Sequence, residues 1–217
     1  MLVPTLVFDD FFKNPYDVKK YATSLKYAPS ATGRWPGERT EPLHEFDHEF
    51  FERTGEKILS LMFPNNWDSM KFSAEGYFQK ISSNYKNKGW IHKDIPFNFT
   101  AIIYLSDHEY CGTSIFKPKT IFPAIKNLDE KVKAYSLGKT KSENKFLKEN
   151  NDLYTETIHI KSMFNRIVIF DSYCSHAAQQ FVEENINEDR LTLIYFFADI
   201  LGQKGEIKYH GSECKRL

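Results

Sequence analysis

The chain is 217 residues long, 41% hydrophobic and 27% charged, a composition that excludes an intrinsically disordered protein. Lysine plus arginine and aspartate plus glutamate both number 29, so the chain lacks the basic excess with which most nucleic-acid binders neutralise phosphate. The three cysteines, Cys111, Cys174 and Cys214, are far apart and suggest no disulfide framework.

This length predicts a single domain over 1–217. The opening MLVPTLVFDD lacks a basic n-region, a long apolar stretch and a cleavage site, so no signal peptide is expected. No apolar run approaches the roughly 20 residues needed to cross a bilayer. A reducing, cytoplasmic setting without a membrane partner is the expectation.

In chain order, 2–8 predicts a short strand. A helix follows from about Tyr16 to Leu25, with Asn14 and Pro15 as its start signal. Residues 28–40, rich in Pro, Gly, Ser and Thr, read as a loop. Leu43, Phe46, Phe50, Ile58 and Leu61 recur at helical spacing and predict one helix over 43–62. From about residue 71 the texture turns to strands, predicted at 72–82, 90–93, 99–105, 113–117, 155–161, 166–171 and 191–198. Seven short strands with turn signals between them predict an all-β barrel or jelly roll over 71–200, braced by the strand and helices of 1–70. The lysine-rich stretch within 119–154 breaks this rhythm; it reads as an insertion, either a surface excursion or a lid. Residues 201–217 read as a tail.

The chemistry concentrates in WIHKD at 90–94. A His and an Asp one residue apart on a strand end point the same way, so His92 and Asp94 converge. NRIVIFDSYCSH then delivers His176 just beyond a strand that breaks at Asp171. Two histidines and a carboxylate form the facial triad of non-haem Fe(II) oxygenases, which leaves positions open for co-substrate and dioxygen. Fourteen residues on, Arg190 opens the apolar strand RLTLIYFF. A charge there is costly unless paired, and a dicarboxylate would pair with it bidentately. Thr192 shares its strand face. On FTAIIYLS, Thr100, Ile102 and Tyr104 share another; Tyr104 is suited to hydrogen-bond the same carboxylate and Ile102 to pack on its methylenes.

These stretches, HKD, AIIYLS, CGTSIF, NRIVIFDSYCSH and RLTLIYFF, resemble the 2-oxoglutarate-dependent Fe(II) oxygenases, and within them the prolyl-hydroxylase-like group. They run in the same order over about residues 77 to 199. The resemblance implies an α+β, mainly β fold with a double-stranded β-helix (jelly-roll, cupin-like) core. It implies Fe(II), 2-oxoglutarate and dioxygen as cofactor and co-substrates, and hydroxylation of a small molecule or protein side chain. By position, His92, Asp94 and His176 match the iron ligands, Arg190 the arginine on the distal carboxylate of 2-oxoglutarate, and Tyr104 the tyrosine beside it. Asp94 argues against a halogenase, in which chloride takes the carboxylate's place. The absence of a second arginine after Arg190 argues against a nucleic-acid demethylase.

Other constellations carry less. HEFDH places His44, Asp47 and His48 at helical spacing, expected to be a solvated helix edge. His108 reads as a turn residue and Cys174 as a structural thiol. Arg34, Trp35 and Arg39 in GRWPGERT suit an anionic or aromatic substrate. A cupin-like metal protein with a non-oxygenase activity, and a nucleic-acid-acting oxygenase, are the alternatives that the sequence leaves open.

Overall fold

The computed structural model describes residues 3–30, 35–85, 89–120, 143–181 and 187–202. Its main sheet has seven strands in the order β1-β8-β5-β10-β4-β3-β2, and a smaller one has the order β7-β6-β9. The strands are β1 (Leu6–Phe8), β2 (Ala28–Pro29), β3 (Glu38–Arg39), β4 (Met70–Ile81), β5 (Phe99–Tyr104), β6 (Thr113–Pro118), β7 (Tyr154–Ile160), β8 (Ile167–Asp171), β9 (Ser175–Ala178) and β10 (Arg190–Gly202). All pairings are antiparallel. This is the mainly β, double-stranded β-helix architecture expected from the sequence, with helices packed outside.

Strand β10 organises the molecule because its period-two pattern serves two environments at once. Leu191, Leu193, Tyr195 and Phe197 join a core shared with Ile58, Leu59 and Phe51 of the helical layer. A fully buried side chain of this kind contributes roughly 1.5–3 kcal/mol. Arg190, Thr192, Ile194 and Phe196 occupy the alternate positions and face the small sheet. Beside them a second apolar cluster forms from Tyr104, Ile115, Ile160, Val168 and Phe170.

The helical layer differs from the prediction at one point. The expected helix over 43–62 is two: α2 (Leu43–Phe46) and α3 (His48–Met62). Asp47 interrupts it with extended φ and caps α3, accepting from the Phe50 N–H at 3.1 Å. Its other carboxylate oxygen accepts from the Tyr21 hydroxyl of α1 (Pro15–Ser24) at 2.6 Å. An N-terminal cap is worth about 1 kcal/mol. Here it also turns α3 so that Phe51 stacks on Tyr195 at 5.5 Å and its carbonyl accepts from the Tyr195 hydroxyl.

Two further expectations are corrected. Residues 28–40 are not simply a loop: β2 and β3 pair with each other, and β3 extends the main sheet along β4. Residues 90–93 form no full strand; His92 makes a single antiparallel bridge to His176. Of the insertion, the described portion beyond residue 120 is α4 (Glu143–Asn151) and the start of β7. Most of the expected tail lies outside the described residues. Among the described residues no helix is long and apolar enough to cross a membrane.

Candidate metal centre and anion pocket

Local backbone pairing brings the three predicted ligands together. His92 and His176 exchange both backbone hydrogen bonds, at 3.0 and 2.9 Å, so they stand directly opposite on adjoining segments and their rings lie 4.5 Å apart. Each imidazole donates from Nδ1 to the carbonyl two residues earlier: Trp90 O at 2.7 Å for His92, Cys174 O at 3.0 Å for His176. A carbonyl can only accept, so Nδ1 carries a proton and Nε2 is the atom that a metal would take.

Those Nε2 atoms converge on Asp94. His92 Nε2 is 3.4 Å from Oδ1, and His176 Nε2 is 3.2 Å from Oδ2. The three donor atoms all lie within 4.8 Å of one another. Bonds of about 2.1 Å at right angles would put neighbouring donors about 3 Å apart, so the residues fit a divalent transition metal on one face. Asp94 is fixed from behind: its N–H donates to Ser172 O at 2.9 Å, and the Thr100 hydroxyl donates to Oδ2 at 2.7 Å. Burial raises the Asp94 carboxyl, but His176, by charge and hydrogen bond, and His92 outweigh it and hold it well below the usual carboxylate range. Asp171 ends β8 and shapes the turn to His176, accepting from the backbone N–H of Tyr173 and, across the molecule, of Val3.

Arg190 is 5% exposed. Its Nε donates to Cys111 O at 3.2 Å, and among the described residues it forms no ion pair. Burial lowers its pKa, opposed by Tyr104 and Cys111. The guanidinium lies 5.8 Å from the Tyr104 ring and 5.9 Å from that of Phe181. Thr192 stands in register with Tyr104, and its buried hydroxyl has no partner. Ile102 is half-buried at the edge of the second cluster. A buried cation without a carboxylate, beside an orphaned hydroxyl, fits an anionic ligand group. The Tyr104 hydroxyl shares a hydrogen bond with Thr113 Oγ1 at 2.7 Å, and burial raises its pKa, so it remains a phenol.

Sequence reading missed three participants. Thr113 opens β6 with no motif of its own. Gln79 of β4 has its side chain at the inner face, donating to Pro36 O at 2.8 Å. His108 lies at a turn, as expected, but is 1% exposed with neither ring nitrogen partnered. Its carbonyl accepts from the Cys111 N–H, one step from the carbonyl that holds Arg190. The HEFDH histidines stay at the helix edge, both in ring contact with Phe51. Cys174 is half-buried, and burial raises its thiol. Trp35 and Arg39 pack together at the inner face, the guanidinium 4.5 Å from the indole. Arg34 lies outside the described residues.

The fold has close counterparts among solved structures. HygX from Streptomyces hygroscopicus, crystallised with nickel and 2-oxoglutarate, is 12% identical with a TM-score of 0.58, over 91% of this chain and 83% of that one. EvdO2 from Micromonospora carbonacea var. aurantiaca, complexed with 2-oxoglutarate, is 9% identical with a TM-score of 0.56, over 93% and 89%. SnoN, a non-heme alpha ketoglutarate dependent epimerase from nogalamycin biosynthesis, is 10% identical with a TM-score of 0.54, over 98% and 87%. A sequence search of curated proteins finds no match. The model of DUF6445, a family of unknown function, matches residues 2–197. That match spans the supporting helices, both sheets and every residue of the triad, and the chain therefore belongs to the DUF6445 family.

Proposed function

We propose that this protein is an Fe(II)- and 2-oxoglutarate-dependent oxygenase that oxidises a C–H bond of an organic substrate. The observation that carries the reading is the pairing of two features on one inner surface. One is a triad whose three donor atoms lie within 4.8 Å of one another; the other is a buried arginine that forms no ion pair among the described residues. A metal-binding protein of another activity would need the first and would have no use for the second.

His92, Asp94 and His176 would hold Fe(II), and Arg190, with Thr192 and Tyr104, the distal carboxylate of 2-oxoglutarate. When bound there, the metal and co-substrate supply the oxidising power, drawn from dioxygen and the decarboxylation of 2-oxoglutarate to succinate. The chain's own residues do four things. The Nδ1–H bonds to Trp90 O and Cys174 O fix each imidazole's tautomer and tilt. Thr100 orients the Asp94 carboxylate. Arg190 offers a planar fork that suits a carboxylate better than a lysine would. Val168, Phe170 and Ile115 line the second cluster and exclude water beside the triad. HygX and EvdO2, the neighbours solved with 2-oxoglutarate, lend support through their shared fold.

Anaerobic calorimetry with Fe(II), then 2-oxoglutarate, tests the proposal. Metal should bind first, and 2-oxoglutarate should bind the metal-loaded protein far more tightly than the metal-free one. Air should then produce succinate. Metal binding with no measurable affinity for 2-oxoglutarate would refute the oxygenase and leave a cupin-like protein of different activity.

A further inference from the structure

The inner face holds a second arginine. Arg39 of β3 is in register with Gln79 of β4, which is in register with Thr192 and, beyond it, Tyr104. The four residues form one row across four strands. From that row the Arg39 side chain runs along the sheet. Its guanidinium carbon is 5.4 Å from the Tyr77 ring and 5.5 Å from the Phe196 ring. Phe196 is the cross-strand partner of Thr100, whose hydroxyl donates to Asp94. The guanidinium therefore lies toward the metal end of the sheet. Six residues at about 3.4 Å each put the α-carbons of Phe196 and Arg190 about 20 Å apart on β10.

Arg39 is held but not neutralised. Nε donates to Gln79 Oε1 at 3.1 Å, and Gln79 is fixed in turn by its bond to Pro36 O. Trp35, Tyr77 and Phe196 surround the guanidinium with ring contacts. Among the described residues it forms no ion pair. The carboxylates in its field are already engaged, Asp94 by the histidines and Thr100, Glu75 by the Tyr77 hydroxyl at 2.9 Å. Burial lowers its pKa to about 10, so the charge persists at neutral pH. Beside it the indole N–H of Trp35 is buried without a partner. A fixed, part-buried cation that forms no ion pair among the described residues, next to an orphaned donor, is an arrangement that suits an anion.

We infer that Arg39, steadied by Gln79 and the Trp35–Tyr77–Phe196 cage, anchors the organic substrate by a carboxylate or phosphate group. The substrate is thus an anion, gripped by an arginine other than Arg190. This rests on the oxygenase reading for the word substrate, but the anion site itself is independent of it.

The test uses full-length protein loaded with redox-inert Ni(II) and saturating 2-oxoglutarate, so that the Arg190 pocket is filled. Calorimetric titration follows with benzoate, phenyl phosphate and the neutral control benzamide. At least one of the anions should bind saturably, and benzamide at least about tenfold more weakly. Arg39→Ala should weaken the anion at least about tenfold and leave 2-oxoglutarate affinity unchanged. Arg39→Lys, which keeps the charge and loses the fork, should fall between, and it carries the test if the alanine variant fails to fold. Which anion binds separates a carboxylate from a phosphate substrate. Failure of both anions to bind, equal binding by benzamide, or undiminished binding by the Arg39 variants would overturn the inference. A loss of 2-oxoglutarate affinity in Arg39→Ala would instead assign Arg39 to the co-substrate and overturn it too. If 2-oxoglutarate does not bind the nickel-loaded wild type, the oxygenase reading falls. The same anion titrations without it still decide whether Arg39 is an anion site.

Discussion

Asn151 accepts a hydrogen bond from the backbone N–H of Ile91 at 3.0 Å and returns one from its own Nδ2 to Gly89 O at 3.0 Å. Asn150 adds a third, from Nδ2 to Ile91 O at 3.2 Å. Two side-chain amides at the end of α4 thus satisfy the backbone edge immediately before His92, where a neighbouring strand would otherwise do so. The end of the insertion is a brace for a proposed metal ligand. Asn151→Ala removes three bonds, to Ile91 N, Gly89 O and Asn150 Nδ2, worth about 1 kcal/mol each. It should weaken Fe(II) binding several-fold while Asn→Ala changes at exposed positions do nothing. Unchanged metal affinity by calorimetry would show that the His92 segment holds its place alone.

His92→Ala and His176→Ala should each abolish Fe(II) binding and 2-oxoglutarate turnover. The neighbouring bridge is made by backbone atoms, so far-ultraviolet circular dichroism should still report a folded protein. Full metal affinity in both variants would remove the triad assignment.

Arg190→Ala should weaken 2-oxoglutarate by on the order of a hundredfold, since charge-assisted hydrogen bonds are worth about 1.5–3 kcal/mol each. Arg190→Lys should recover part of the loss, because the point charge lacks the planar fork. Tyr104→Phe should cost less than either, and it leaves Thr113 to find another partner. Fe(II) affinity without co-substrate should hardly change. Calorimetry on the three variants decides it.

At the other end of the chain, Arg166 grips Asp9 through Nε at 2.6 Å and Nη2 at 3.1 Å, just after β1 joins the sheet edge. The hydrogen bond from Arg166 is the main cause that holds the Asp9 carboxyl below its usual range. A depressed folded-state value gives stability that is present above the unfolded value of about 3.9 and is lost as pH falls through the folded one. Asp9→Asn should therefore melt slightly below wild type at pH 7, with the gap closing below about pH 4. The effect is small because Asp9 is exposed and screened. A gap that persists at pH 3 would point to a cause other than ionisation.

Gly37 has φ of 70°, and a Cβ there would run into the Lys80 carbonyl and the Ile81 side chain. Gly37→Ala should cost about 1–3 kcal/mol and displace β3, which begins at the next residue and carries Arg39. The variant should lower the melting temperature. An unchanged melt would mean that the turn relaxes without moving the edge of the sheet.

How far the sequence reached depended on the range of the interactions involved. Alternation on RLTLIYFF separated Arg190 and Thr192 from Leu191, Leu193 and Tyr195, because a strand sorts its own side chains with period two whatever it pairs with. The His92–Asp94 spacing and the apolar run ending at Asp171 were readable for the same local reason. The break at Asp47 escaped the helical periodicity, since the cap on the Phe50 N–H is reinforced by a contact to α1 that comes from Tyr21. The pairing of β3 was invisible because a two-residue strand has no pattern; only the exposed edge of β4 selects it. His108 and Thr113 became notable through burial and partners brought from far along the chain. From sequence Arg39 was a candidate for an anionic or aromatic substrate within GRWPGERT, with nothing to place it beside the other site residues. It lies in the row of Gln79, Thr192 and Tyr104 because tertiary pairing aligned four strands whose residues lie as far apart in sequence as 39 and 192.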